Sequence, residues 1–201
     1  MAHVPDDAEL LRPDYRPRLG ALSVAEKLAQ AELLKRRGNL FVRAGDYRRA
    51  LRAYAHVFAY VNGLSVAGDA MAPYAQSDAG AHLLATAAEG QQIEALQVAT
   101  WANMALCHVR LGGAPHRALQ CCGRVLALAP QHSKARFRQA QALAQDAQYA
   151  RARAVLQALL DEEPANAAVR RELRQLQATA RADAVETRAR EKRVFGRMFP
   201  S

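Results

Sequence analysis

Only three cysteines occur in 201 residues, and two of them, Cys121 and Cys122, are adjacent. That odd set excludes a disulfide-stapled scaffold and fits a reduced, intracellular setting. Aromatic residues make up 6% of the chain, with a single Trp. This is too poor for a base-stacking platform, so no nucleic-acid ligand is expected. Long apolar runs are missing as well. The stretch 53–109 has no Lys or Arg, but Gly63, Gly68, Pro73, Gly80 and Gly90 interrupt it, and Ala, Ser and Thr outweigh Leu and Ile. No membrane span is expected there. The segment Met1–Asp7 carries acid where a signal peptide needs base, and no apolar run follows. A cytoplasmic protein is therefore expected, with the nucleus as a second compartment. Strand signals are nearly absent, because Val and Ile are sparse and period-2 alternation is missing.

What is present is a helical, basic chain. Hydrophobic residues reach 51%, enough for a packed core, and the formal net charge of +9 makes an acidic partner the natural expectation. Ala, Leu, Arg, Gln and Glu dominate, all good helix formers, so the fold class is all-α. Residues 1–22, with Pro5, Pro13 and Pro17, read as an irregular arm. Helix is predicted to begin at Ser23, with Glu26 three residues on completing a capping box.

The segments Tyr47–Tyr54, His116–Cys122 and Tyr149–Leu156 resemble one another. Ala118 and Ala152 lie 34 residues apart, as do Pro130 and Pro164. Thirty-four is the period of the tetratricopeptide repeat (TPR), a helix–turn–helix unit with small residues where its helices touch. Three units follow within residues 23–165: about 31–64, with Gly38, Phe41, Ala50 and Tyr54; about 98–130, with Ala105 and His108; and 133–166, with Ala140, Tyr149 and Ala152. The turn Leu111–His116 is one residue longer than usual, and the insert 65–97 carries four acids and no base. That insert reads as loop-like to Gly80 and helical beyond. A long helix is predicted from 166 to about 197 within the C-terminal segment 166–201. Its stripe Val169, Leu173, Leu176 and Ala180 would close the solenoid, while its distal half projects into solvent.

Repeats of this kind line a groove with their first helices. Lys35 and Asn39 are four apart on one such helix, Lys134 and Arg138 on another, and Asn103 lies on the helix between. Two cation-bearing walls with an amide floor suit two adjacent carboxylates, such as those of a chain terminus ending in Asp. The segments Lys35–Asn39, Asn103–His108 and Lys134–Arg138 resemble the carboxylate clamp of co-chaperone TPR domains. The tail Arg190–Phe199 is similar to the last helix of FKBP-type immunophilins. The resemblance implies binding of the Glu-Glu-Val-Asp terminus of heat-shock protein 90 or 70 class chaperones. Lys35, Asn39 and Asn103 would hold the terminal carboxylate, and Lys134 and Arg138 the Asp side chain and preceding peptide. About 25 to 30 residues precede the repeats, where immunophilins place an isomerase domain, so no prolyl isomerase activity is expected.

Other constellations are weaker. Cys107, His108, His116, Cys121 and Cys122 have no metal-ligand spacing, and Cys107 and Cys121 fall at inward-facing positions. No catalytic triad, phosphate-cradling Gly loop or paired carboxylates stand out, so neither cofactor nor enzyme is expected. Arg190, Lys192, Arg193, Val194, Phe195, Met198 and Phe199 form a basic, apolar helix end suited to a calmodulin-like groove, RNA or anionic lipid, with Glu186 and Glu191 favouring a plain solvated helix. A general scaffold for another peptide is the alternative to the chaperone clamp.

Overall fold

The computed structural model describes residues 5–66 and 84–198, with residues 195–198 as helical backbone alone. Among them are eight helices: α1 (Asp7–Leu11), α2 (Val24–Arg43), α3 (Tyr47–Val61), α4 (Ala87–Leu111), α5 (Pro115–Leu128), α6 (Ser133–Gln145), α7 (Tyr149–Glu162) and α8 (Ala167–Met198). The fold is all-α. Three antiparallel pairs, α2–α3, α4–α5 and α6–α7, stack in order through α3 on α4 and α5 on α6, and α8 closes the end against α7.

Helix starts follow local chemistry. Ser23 and Glu26 form the expected capping box on α2, and Thr86 and Glu89 form another on α4. Asp46 caps α3 through its side chain, and Pro115 opens α5, where its missing N–H costs nothing. Within each pair a small residue permits close approach: Ala50, Ala118 and Ala152 are all 0% exposed. At Gly38 a β-carbon would stand 2.3 Å from the Tyr54 ring, so α2 and α3 cross there only because the side chain is hydrogen.

Two segments differ from the sequence expectation. The arm read as irregular contains α1, capped by Asp6, and is held against the first repeat. Leu10 is fully buried, Arg36 pairs with Asp7 at 2.6 Å, and Arg37 Nη2 donates to the Arg12 carbonyl at 3.1 Å. Tyr60 donates its hydroxyl to the Arg18 carbonyl at 2.6 Å. A five-residue helix has no stability of its own, so this order comes from tertiary contacts. Within the insert, Ser65–Val66 (β1) and Leu84–Ala85 (β2) form a two-residue parallel ladder, although no strand is expected from the sequence, and residues 87–97 are helical as expected. Gly90 permits it, since a β-carbon there would meet the Val66 methyls at 2.9 Å. Residues 67–83, the rest of the loop expected to Gly80 and the first residues expected to be helical beyond it, lie outside the described residues.

The core runs along the solenoid. Leu28, Leu34, Val57, Val61, Ile93 and Leu96 join the first repeat to α4, with the Phe58 and Trp101 rings 4.2 Å apart. At the other end Leu143, Leu156 and Leu159 receive Val169, Leu173 and Leu176 of α8. Ala180, the fourth member of the expected stripe, is half-buried, and residues 181–194 are exposed. No described helix is long and apolar enough to cross a membrane.

Candidate functional site

The groove is floored by α2, α4 and α6. Asn39 of α2 is the hub: its Oδ1 accepts the Asn103 amide of α4 at 3.0 Å and the Tyr54 hydroxyl of α3 at 2.7 Å. Both bonds use the oxygen, which leaves the Asn39 amide hydrogens as donors for a ligand. Tyr54 is fully buried, and burial raises its pKa, so its hydroxyl remains a donor. One residue before Asn103, the Ala102 carbonyl accepts from Arg138 Nη1 of α6 at 2.5 Å.

Arg138 is half-buried beside Tyr54, Cys107 and Cys122. Burial lowers its pKa, against a smaller opposite pull from those three neighbours. A guanidinium remains protonated in such a setting, so the groove keeps a partly desolvated cation. One helical turn away, Lys134 is exposed, with no ion pair among the described residues. Lys35 stands one turn before Asn39 and is paired with Glu32 at 2.8 Å. Asn39, Asn103 and Arg138 are therefore joined by adjoining hydrogen bonds, and Lys35 and Lys134 flank them by helical spacing.

The groove continues past the cations. Lys134 and Arg138 line a cavity of about 370 Å³ walled by Leu106, Phe137, Leu159 and Val169, with Arg110 and Gln141 at its edge. Beside Lys35 a smaller cavity of about 200 Å³ is bounded by Leu28, Glu32, Gln92 and Leu96.

Tyr54 is the residue that sequence reasoning missed, since its spacing marks it only as repeat packing. The one available signal was Gly38 beside Asn39, an opening wide enough for a ring from the second helix. The thiols are buried under the groove. Burial pushes Cys107 and Cys122 up to about 12 and Cys121 to about 11. Such thiols are protonated and unreactive at neutral pH. Among the described residues no group of three or more His, Cys, Asp or Glu side chains could hold a metal ion.

The basic tail is not brought to the groove. Arg190 pairs with Glu186 at 3.2 Å, Arg193 donates to the Ala189 carbonyl, and Lys192 and Val194 are exposed on the same distal stretch. At about 1.5 Å per residue, Arg190 lies roughly 20 Å beyond Leu176, the last fully packed residue of α8. Phe195 and Met198 belong to α8, but their side chains, like Phe199, lie outside the described residues.

Comparison with known proteins agrees with this fold. A tetratricopeptide-repeat signature matches residues 134–166, the α6–α7 pair and the turn after it. The peptidyl-prolyl cis-trans isomerase FKBP4 of Mus musculus is 29% identical over 178 residues, covering 89% of this chain and 34% of the relative. The chain thus spans about a third of the length of the curated relatives it matches. Among solved structures, the C-terminal TPR-containing domain of a Plasmodium falciparum protein described as FK506-binding superposes with a TM-score of 0.64 at 15% identity, over 81% of this chain and 96% of that one. The second TPR domain of human RPAP3, in complex with the HSP70 peptide SGPTIEEVD, superposes with a TM-score of 0.53 at 21% identity, over 75% of this chain and 98% of that one. At these identities the structural likeness is one of fold.

Proposed function

We propose that this chain, which is 29% identical over 178 residues to FKBP4 and has the fold of tetratricopeptide-repeat domains, is a non-catalytic adaptor capturing the acidic C-terminus of heat-shock 90 or 70 class chaperones. The observation that carries the reading is the pair of hydrogen bonds at adjacent residues of α4, Asn103 donating to Asn39 and Arg138 donating to the Ala102 carbonyl, flanked by Lys35 and Lys134. A peptide ending in Asp brings two carboxylates a few ångströms apart. The terminal one meets the Asn39 and Asn103 amides and the Lys35 ammonium. The Asp side chain meets Lys134 and the Arg138 fork, where charge-assisted bonds are strongest.

The site is largely built before the ligand arrives. Asn39 is held by two donors and Arg138 by a backbone carbonyl, so little side-chain entropy is lost on binding. Lys35 is the exception, because it must share or leave Glu32. Exposed Lys134 contributes a salt-sensitive share of the affinity. The HSP70 peptide SGPTIEEVD bound to the RPAP3 domain supports this choice of ligand, being an acidic chain end on the same fold.

The second reading, a scaffold for a peptide without a free terminus, draws on the Lys35–Glu32 pair, which already supplies that cation with a carboxylate. A fluorescence titration separates the two. A peptide ending in Glu-Glu-Val-Asp is expected to bind saturably, and to lose binding on C-terminal amidation and with Lys134→Ala. Equal binding of the amidated twin would overturn the clamp.

A further inference from the structure

A second cavity, of about 370 Å³, opens where the N-terminal arm docks on α2 and α3. Helical geometry separates it from the groove. At about 100° per residue, Leu34, Arg37 and Phe41, which line it, point away from Lys35 and Asn39 on the same helix. Across from them, α3 presents Arg49, Arg52 and His56 on one face, spaced three and four apart. Three guanidiniums and an imidazole thus edge the cavity, and no carboxylate lines it among the described residues.

Like charges converge there at a cost. Arg37 is wedged under the arm, its guanidinium 5.0 Å from the Tyr15 ring centre and 5.6 Å from that of Phe41, with Nη2 donating to the Arg12 carbonyl. Its Nε is buried with no hydrogen-bond partner. Burial holds its pKa down, and the Arg16 and Arg49 charges press the same way. Asp46 answers Arg49 at 3.4 Å while also capping α3, whereas exposed Arg52 has no ion pair among the described residues. A buried, unanswered donor beside repelling cations is the arrangement an anion relieves.

We infer that this cavity is a second ligand site, independent of the groove, which takes a phosphate monoester carried on a flat apolar body. A carboxylate offers one charge, whereas a phosphate monoester offers nearly two and three acceptor oxygens for three guanidiniums. The volume exceeds that of a phosphate, and Leu34, Phe41 and Ala53 supply an apolar wall for the group that carries it. An aryl phosphate has this chemistry, whether as a free ester or as a phosphotyrosine side chain.

Calorimetric titration of the full chain with phenyl phosphate, inorganic phosphate and a phosphotyrosine peptide tests the site. Phenyl phosphate is expected to saturate at one site and bind more tightly than inorganic phosphate. Arg52→Gln, an exposed position that leaves the packing intact, is expected to weaken it about tenfold, and Lys134→Ala to leave it unchanged. The peptide binding as well as phenyl phosphate identifies a protein-borne ester, and phenyl phosphate binding alone identifies a free one. No saturation by about 20 mM, indifference to Arg52→Gln, or loss with Lys134→Ala would each overturn the inference.

Discussion

The amide of Asn103 donates to the side-chain oxygen of Asn39 at 3.0 Å, across 64 positions of sequence, and so ties the first repeat to the second at the floor of the groove. The same oxygen takes the Tyr54 hydroxyl, so one acceptor orders three helices. Asn39→Leu strands the buried hydroxyl and is expected to cost about 1–3 kcal/mol in urea unfolding. Asn39→Asp keeps the acceptor and most of the stability but adds charge where the proposed ligand carries its own. It is expected to weaken an acidic-terminus peptide at least about tenfold, and a mutant that binds as wild type would remove Asn39 from the site.

Gly38 and Tyr54 in the first repeat correspond to Ala140 and Leu156 in the third, each pair 102 positions later. Gly38→Ala forces its methyl into the Tyr54 ring and is expected to destabilise by about 1–3 kcal/mol, despite the better helix propensity of Ala. Adding Tyr54→Leu copies the third repeat and is expected to recover most of that loss. A double mutant no more stable than Gly38→Ala would show that the ring contact is not the cause.

Ala147 has φ 55, the left-handed conformation that Gly45 and Gly113 adopt at the corresponding turns of the other repeats. Ala147→Gly removes the β-carbon strain and is expected to raise stability by about 0.5–1 kcal/mol, read from the thermal midpoint.

The buried thiols set an alkaline limit. Folding raises Cys107 and Cys122 to about 12 from the ordinary 9.0, so above pH 9 the unfolded chain releases protons that the native state retains. Their contribution to stability is intact below about pH 9 and is lost as pH rises from there towards 12. Urea unfolding between pH 8 and 10.5 should show this decline, and it should be shallower in Cys107→Ala. Thiol titration with a disulfide reagent at pH 8 is expected to be slow until the protein is unfolded.

In α8 the structural and exposed parts separate cleanly. Leu173→Ala opens the last core cluster and is expected to cost about 2–4 kcal/mol. A stop after Asp183 keeps that cluster and the bond that the Tyr149 hydroxyl donates to Asp183, so its thermal midpoint should stay within a few degrees of wild type.

Much of this was legible in the chain because it is local or periodic. The Ser23 capping box, the 34-residue spacing of Ala118 and Ala152 and the stripe Val169–Leu173–Leu176 each depend on residues a few positions apart or on a repeated unit. Helical periodicity likewise placed Lys35 with Asn39 and Lys134 with Arg138. Whether those two pairs face one groove depends on how successive helix pairs rotate, which no spacing records. Tertiary structure alone decided that Asn39 accepts from both Asn103 and Tyr54, that Arg138 reaches the Ala102 carbonyl, and that Glu32 occupies Lys35. It also decided that a proline-bearing arm folds into α1 and forms one side of a cavity edged by arginines, because a five-residue helix forms only where Leu10 can be buried.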